Sequence, residues 1–515
     1  MVAACRWEQR AKAISGHQNL MGSTVRRFTL TFAVMASVVA ALTSSTAGAQ
    51  PLRTGFLDEQ ALFSDPATGP ATMKRIVGAG GTMVRFMIYW RDVAPKVRPA
   101  HFHPASPADP AYNWAKADAE IRYAAAVGLK PIVDLVRAPD WASVSGTSGA
   151  RRPSARQYGL FAKAAARRYS GRFTPNNAAR LPRVRYWQAW NEPNYTYFLR
   201  PEASAPAIYR KLVNAYAAHI HRVNPTNIVV AGGTGRIGAL TFARNVLCLS
   251  STKPYRSVCP NRVQFDAWGT NPYTSGGPTA NAGGGSVWLG DLPRLHSVLK
   301  AATRLHKVVN VKGQAKRSVG FWVTEFSWDS YMPDPDAVPA GLHARWTAEA
   351  LYHMWRAGVS SAIWFTVRDR PLKTSLWQSG LYYCGKATTT DDAANGGMCG
   401  ASMGSDEVKA SLTAFKFPFV AHASKGAVSV WGRIPPGTRR SVRIERSTAS
   451  GGPFVAVRTV RPGSAGIFRL KMASGWKSGY YRATTAAGSS RAFSLTRPSV
   501  SGKVTPFGCG GATRC

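Results

Sequence analysis

Two glutamates stand where acid–base or nucleophilic chemistry could be done. The first closes the apolar segment Tyr186-Trp187-Gln188-Ala189-Trp190-Asn191-Glu192, and Pro193 directly after it denies a strand its next ladder hydrogen bond. The second closes Phe321-Trp322-Val323-Thr324-Glu325, again an apolar run ending in an acid. Most other glutamates, Glu120, Glu202 and Glu349 among them, lie in helix or loop contexts. Two carboxylates on facing strand ends can divide labour. One, protonated, donates to a departing oxygen; the other, ionised, attacks or stabilises an oxocarbenium-like carbon. That is what cleavage of a glycosidic bond requires. With the pair about 5–5.5 Å apart, the ionised group bonds to the sugar and configuration is retained.

Such a pair needs a scaffold that brings distant strand ends to one face. From Arg53 to about Arg370 the chain repeats a short apolar strand, a loop and an amphipathic helix. The strand candidates are 54–57, 83–89, 130–136, 184–190, 228–231, 265–270, 320–324 and 361–366. Helical stretches at 112–127, 155–169, 207–223, 292–308 and 342–357 fall between them. Strand–helix alternation implies parallel strands with helical crossovers, and eight of them match a (β/α)8 TIM barrel, an α/β fold whose reactive face is the C-terminal strand ends. A doubly wound sheet is the alternative, but Thr54-Gly55-Phe56-Leu57-Asp58 lacks its glycine-rich nucleotide turn. Past Pro418 short alternating runs such as Ala427-Val428-Ser429-Val430-Trp431, separated by turn clusters, predict a small all-β sandwich domain. The expected division is a signal-peptide region over 1–49, a barrel over 50–422, a β-sandwich over 423–496 and a C-terminal tail over 497–515.

Trp190-Asn191-Glu192-Pro193 resembles the strand-four signature of the clan A glycoside hydrolases, the cellulase-like superfamily. Trp322-Val323-Thr324-Glu325-Phe326 is similar to the strand-seven nucleophile segment of the same clan. The resemblance covers about residues 53–420 and implies a retaining glycosidase with Glu192 as acid/base and Glu325 as nucleophile. It further implies that Asn191 holds a sugar hydroxyl, that Arg85 keeps the nucleophile ionised, and that Tyr273 hydrogen-bonds it. Trp364 matches the aromatic floor of the first sugar subsite. The chain departs from the clan where many members carry a histidine two residues before the tyrosine; Asn271 stands there and is expected in the substrate site. Classical cellulases also carry a histidine after strand three, where this chain reads Val136-Arg137-Ala138-Pro139-Asp140-Trp141. Trp141 and Trp328 are candidate stacking platforms, with Trp90 and Trp377 as others. The C-terminal domain resembles the fibronectin-like modules appended to many secreted hydrolases, where packing or spacing is the expected role.

The charge balance is unusual. Among 515 residues, 66 Lys and Arg face 25 Asp and Glu, a net charge of +41. Such a field attracts nucleic acid, an anionic surface or an acidic polysaccharide. The basic residues are scattered without stripe or recognition-helix pattern, which argues against specific nucleic-acid binding. A generally Arg-rich proteome gives the same count. Arg26-Arg27, the apolar run Phe28–Leu42 and Ala47-Gly48-Ala49 read as a secretory leader whose start is Met21. Export suits the cysteines: Cys248 with Cys259, Cys384 with Cys399, and Cys509 with Cys515 are close pairs suited to disulfides. The glycine runs at 78–81 and 231–235 lack phosphate-loop and dinucleotide spacing, and His101 and His103 lack a third ligand. Neither cofactor nor metal is expected. The expectation is a secreted hydrolase, free or wall-associated, acting on a polysaccharide or oligosaccharide, with an acidic glycan among the candidates. A non-catalytic carbohydrate- or wall-binding protein on the same scaffold is the alternative.

Overall fold

The computed structural model describes residues 50–498, apart from 60–67, 145, 147, 177, 332–333, 335–336, 371–374, 376, 385–402 and 439–440. The expected leader, Cys399, Cys509 and Cys515 lie outside the described residues. Eight strands form the core: β1 (Arg53–Leu57), β2 (Met83–Tyr89), β3 (Lys130–Val136), β4 (Tyr186–Ala189), β5 (Ile228–Gly235), β6 (Ala267–Asn271), β7 (Gly320–Phe326) and β8 (Ser361–Phe365). They pair in parallel in that order, and β8 closes onto β1. Closure removes the doubly wound alternative.

Parallel neighbours need a crossover, and each crossover carries a helix. These are α1 (Thr68–Gly78), α2 (Ala115–Ala126), α3 (Ala155–Arg168), α4 (Ala205–Val223), α5 (Ala239–Val246), α6 (Leu292–Arg304) and α7 (Ala340–Arg356). Local chemistry sets several starts. Ser154 accepts from the Gln157 N–H at 3.3 Å to cap α3, and α4 and α6 carry proline in their first turn. Observed strands depart from the expected ones mainly at β4, which is shorter, and at β5, which runs on to Gly235.

Near the strand starts, Met83, Ile132, Tyr186, Val230, Ala267, Trp322 and Ile363 fill the barrel with an apolar plug. Side chains repeat on one strand face every second residue. Two positions on, the same faces therefore carry Arg85, Asp134, Gln188 and Thr324, and the interior turns polar towards the C-terminal end.

Two irregularities shape that end. Between β7 and β8 the register moves from Val323↔Ala362 to Phe326↔Trp364, so β7 holds one extra residue at Thr324–Glu325. A bulge re-aims side chains, which lets Thr324 and its neighbour Glu325 both serve the interior. A second shift, from Gly232↔Gly269 to Thr234↔Thr270, sits at Gly233. Gly233 has φ +56°, and a Cβ there would lie 2.5 Å from Gln188 Nε2, so only glycine fits.

Six longer strands, and two of two residues each, follow among the described residues; the longer ones are β9 (Phe419–Ser424), β10 (Ala427–Arg433), β11 (Val442–Ser447), β12 (Val455–Val460), β13 (Ile467–Ala473) and β14 (Tyr480–Thr485). β9, β10 and β13 form one antiparallel sheet, and β12, β11 and β14 lie in the other. The chain is thus a TIM barrel followed by a β-sandwich. Buried Arg433 of β10 donates to the Leu52 carbonyl at 2.9 Å and to Thr54 Oγ1 at 3.1 Å. Those groups stand at the start of β1, so the sandwich is anchored away from the strand ends that carry the glutamates. A disulfide joins Cys248 and Cys259 as expected, and Cys384 is also disulfide-bonded. Among the described residues no helix is long and apolar enough to cross a membrane.

Candidate active site

The C-terminal end of β4 is a forced turn. Trp190 and Glu192 adopt φ +70° and +40°, values that L-residues rarely take and that cluster at functional sites. The Glu192 N–H is satisfied by the Gly233 carbonyl at 2.9 Å, at the bulge of β5. The bulge and the turn are therefore one device, and it fixes where the Glu192 carboxyl points.

Glu325 receives two donors. Arg85 Nη1 reaches its Oε1 at 2.5 Å, and the Tyr273 hydroxyl donates to its Oε2 at 2.9 Å. Arg85 has no exposed surface and spreads its guanidinium over several acceptors. Nη2 lies 2.6 Å from Asp134 Oδ2 and 2.8 Å from Asn191 Oδ1, while Nη1 also approaches the Thr324 carbonyl at 3.3 Å. The adjoining carboxylates of Glu325 and Asp134 outweigh burial and hold Arg85 charged. Tyr273 is pushed well above the ordinary phenol range by burial and by the charge of Glu325, so it remains a donor.

Glu192 differs. It accepts from Asn271 Nδ2 at 3.1 Å. The Asn271 Oδ1 in turn accepts from the Thr324 hydroxyl at 2.7 Å, which fixes the amide so that its N–H side faces Glu192. Burial first, and the neighbouring Glu325 second, push Glu192 up to about 8. Two residues that are near neighbours on one strand end, Asn271 and Tyr273, thus hold the two carboxyls. The arrangement keeps one acid protonated at neutral pH beside another that faces a fixed cation and a phenol, the division of labour that acid-assisted displacement needs.

Arg85, Asn191, Asn271 and Tyr273 are therefore brought together with the two glutamates. Asn191 gives its Oδ1 to Arg85, which leaves its Nδ2 hydrogens to donate elsewhere. The expected aromatic platforms fare differently. Trp364 has no exposed surface; it points outward from β8 onto Phe326, His343 and Phe415, and donates to the Ser379 carbonyl. It is a wall residue and not a sugar floor. Trp328 is likewise fully buried, donating to the Thr274 and Gly276 carbonyls and so bracing the loop after Tyr273. Trp141 is half-buried, edge-on to Trp90 and Phe102, and donates to the Pro95 carbonyl. Of the expected platforms Trp377 reaches the cluster, 6.3 Å from the Tyr273 ring and 5.1 Å from Phe365, which also packs on Tyr273.

Sequence reasoning missed Asp134, Gln188 and Thr324. Each had a signal: a lone polar residue inside an otherwise apolar strand has to find a partner in the interior. Gln188 Nε2 donates to Asp134 Oδ2 at 3.1 Å and to the Trp190 carbonyl at 3.1 Å, tying β4 to the Arg85 cluster. Burial pushes Asp134 up to about 7 against the pull of Arg85.

No protein-family model matches the chain, and no curated protein matches it. Among solved structures it is similar to a family 39 glycoside hydrolase from the gut symbiont Bacteroides cellulosilyticus WH2. That match has 15% identity over 82% of this chain and 81% of the other, with a TM-score of 0.46. It is also similar to the GH39 enzyme from Xanthomonas axonopodis pv. citri, at 14% identity over 83% and 93% with a TM-score of 0.47. A third is a monomeric beta-xylosidase from Caulobacter crescentus CB15, at 15% over 83% and 95% with a TM-score of 0.46.

Proposed function

We propose that this chain is a secreted retaining glycoside hydrolase acting on a polysaccharide or oligosaccharide. One observation carries the reading: Asn271 and Tyr273 hold two carboxyls with opposed environments, Glu192 pushed up to about 8 and Glu325 set against Arg85 and Tyr273. In the first step a Glu325 oxygen forms a bond to the anomeric carbon. The bond to the leaving oxygen breaks with its electron pair, and that oxygen takes the Glu192 proton. In the second step Glu192, now ionised, removes a proton from water, whose oxygen attacks the anomeric carbon and displaces Glu325. Arg85 and Tyr273 stabilise the charge on Glu325 as it departs. Export through the leader at 1–49, and the division into 50–422, 423–496 and 497–515, belong to the same reading. The anchoring of β10 beside the start of β1 supports a packing role for the sandwich.

The test is sugar release from a panel of polysaccharides and aryl glycosides, with the anomeric configuration of the first product followed by NMR. Release with retained configuration, lost in Glu325→Gln, is the expected result. Inverted configuration would reassign Glu325 to a general base. Binding of a glycan without release would move the non-catalytic reading to the front.

A further inference from the structure

One wall of the barrel mouth carries chemistry that the two-glutamate mechanism does not use. β8 and β1 stand across the barrel from β4, and each is followed by a charged residue, Arg370 and Glu59. Among the described residues Glu59 Oε1 is buried without a partner, and Oε2 has only the Tyr89 hydroxyl at 3.5 Å, the outer edge of hydrogen-bonding range. Arg370 Nε is likewise buried and has no partner among the described residues, and its guanidinium lies over the Phe365 ring at 5.5 Å. The two feel each other's charge, yet no direct ion pair between them occurs among the described residues.

This pair lies along a continuous wall from the nucleophile. The Tyr273 ring touches Trp377, Trp377 touches Phe365, and Arg370 covers Phe365. Glu59 also lies within electrostatic reach of Glu325 and Arg85. A proton donor must stand on the leaving-group side of the scissile bond. With Glu192 on β4, the β8–β1 wall faces the other side, the sugar that remains on the enzyme.

Resting on the hydrolase reading above, we infer that Glu59 and Arg370 form a clamp for a vicinal diol of a neutral sugar on the non-leaving side of the site. A hydroxyl can donate to the carboxyl of Glu59 while its neighbour accepts from Arg370, so each open edge finds its complement. Burial and the charge of Glu325 push Glu59 up to about 7, which adds a donor at neutral pH and suits hydroxyls further. A uronic acid would bring its carboxylate towards the nucleophile Glu325, where like charges repel. The net positive charge of the whole chain thus does not set the sign of this subsite.

The probes are α- and β-linked aryl glycosides of xylose, glucose, mannose, galactose and glucuronic acid, with deoxy analogues of whichever neutral sugar is cleaved. Wild type is expected to favour a neutral sugar. Glu59→Ala and Arg370→Ala should each lower kcat/KM about 10- to 100-fold, the worth of a hydrogen bond to a charged group. On the analogue lacking the clamped hydroxyl each variant should match wild type within about threefold, and Glu59→Gln should recover most of the loss, which a merely structural defect would not do. Equal losses on parent and deoxy sugars, or changes under about threefold throughout, overturn the clamp and leave the hydrolase reading standing. So does a preference for glucuronide that Glu59→Ala improves. If wild type cleaves none of the five, calorimetric binding of the same sugars to the same variants decides the clamp. Wild type that neither cleaves nor binds overturns both readings.

Discussion

The two ends of one barrel strand treat a carboxyl in opposite ways. Asp266, just before β6, accepts from His221 Nε2 at 2.8 Å, from the Val229 N–H at 2.8 Å and from Lys316. Those hydrogen bonds overcome burial and hold it down at about 2. At the opposite end, where β6 delivers Asn271, Glu192 is pushed up to about 8 and Asp134 to about 7. Arg85 Nε, Asp134 Oδ1 and Gln188 Oε1 there lack a partner among the described residues. One end saturates its acid and gains stability; the other leaves polar groups under-satisfied and keeps them reactive.

The two ends therefore respond to pH with opposite signs. Asp266 has a folded value below its unfolded one of 3.8, so its contribution is present above about pH 4 and is lost as pH falls through about 2. Glu192 has a folded value above its unfolded 4.5, so folding favours its protonated form. Its ionisation costs stability increasingly as pH rises from about 4.5 towards 8.

The largest expected effect is Glu325→Gln, which removes the nucleophile and should lower kcat on the order of 10⁴-fold or more. Residual turnover within tenfold of wild type would place the nucleophile elsewhere and dissolve the contrast between the ends. Next comes Glu192→Gln. Loss of a general acid should cost about 10²- to 10⁴-fold on poor leaving groups and far less on activated aryl glycosides. The same variant should melt at higher temperature than wild type, with the gain larger at pH 8 than at pH 5. A gain independent of pH would show that Glu192 ionisation carries no stability cost.

Asp266→Asn sharpens the comparison from the other end. A carboxyl held at about 2 against 3.8 contributes about 2 kcal/mol above pH 4. Denaturant unfolding at pH 7 should show that loss, shrinking as pH falls from 4 to 2, with kcat of the folded enzyme unchanged. A fall in kcat at full occupancy of the fold would mean that the two ends are coupled.

Much of this was legible beforehand because buried parallel strands read as apolar runs with definite ends. The eight strands, and with them Glu192 and Glu325, could be placed on one face from position, while Arg85, Asn191, Asn271 and Tyr273 came only through the family resemblance. What such runs conceal is which face each residue takes, since both faces are apolar. Trp364 shows the cost. On β8 it is Ile363 and Phe365 that enter the barrel, so the tryptophan between them points out into the helix layer. Tyr273 meets both Phe365 of β8 and Trp377 from the loop after it, and no strand periodicity could align the latter. Thr324 and Glu325 are both used because of a bulge, which a sequence does not announce. In the sandwich, the alternation visible from Gly426 gave no sign of β9, whose Phe419-Val420-Ala421 start is buried throughout.

Asn271 is where the smallest change should be most informative. Its Nδ2–H favours the ionised form of Glu192, while burial and Glu325 favour the neutral form. Asn271→Ala removes the opposing influence, so Glu192 should rise further and the alkaline limb of kcat/KM should move up by about one pH unit. Activity near pH 6, where Glu192 is protonated in either protein, should fall by less than about tenfold. Thr324→Val should move the limb in the same direction and less far, because the amide keeps its place and loses only the partner that orients it. An alkaline limb that stays put in both variants would mean that the limb reports another group, with Asp134, Glu59 and the substrate itself the next to examine.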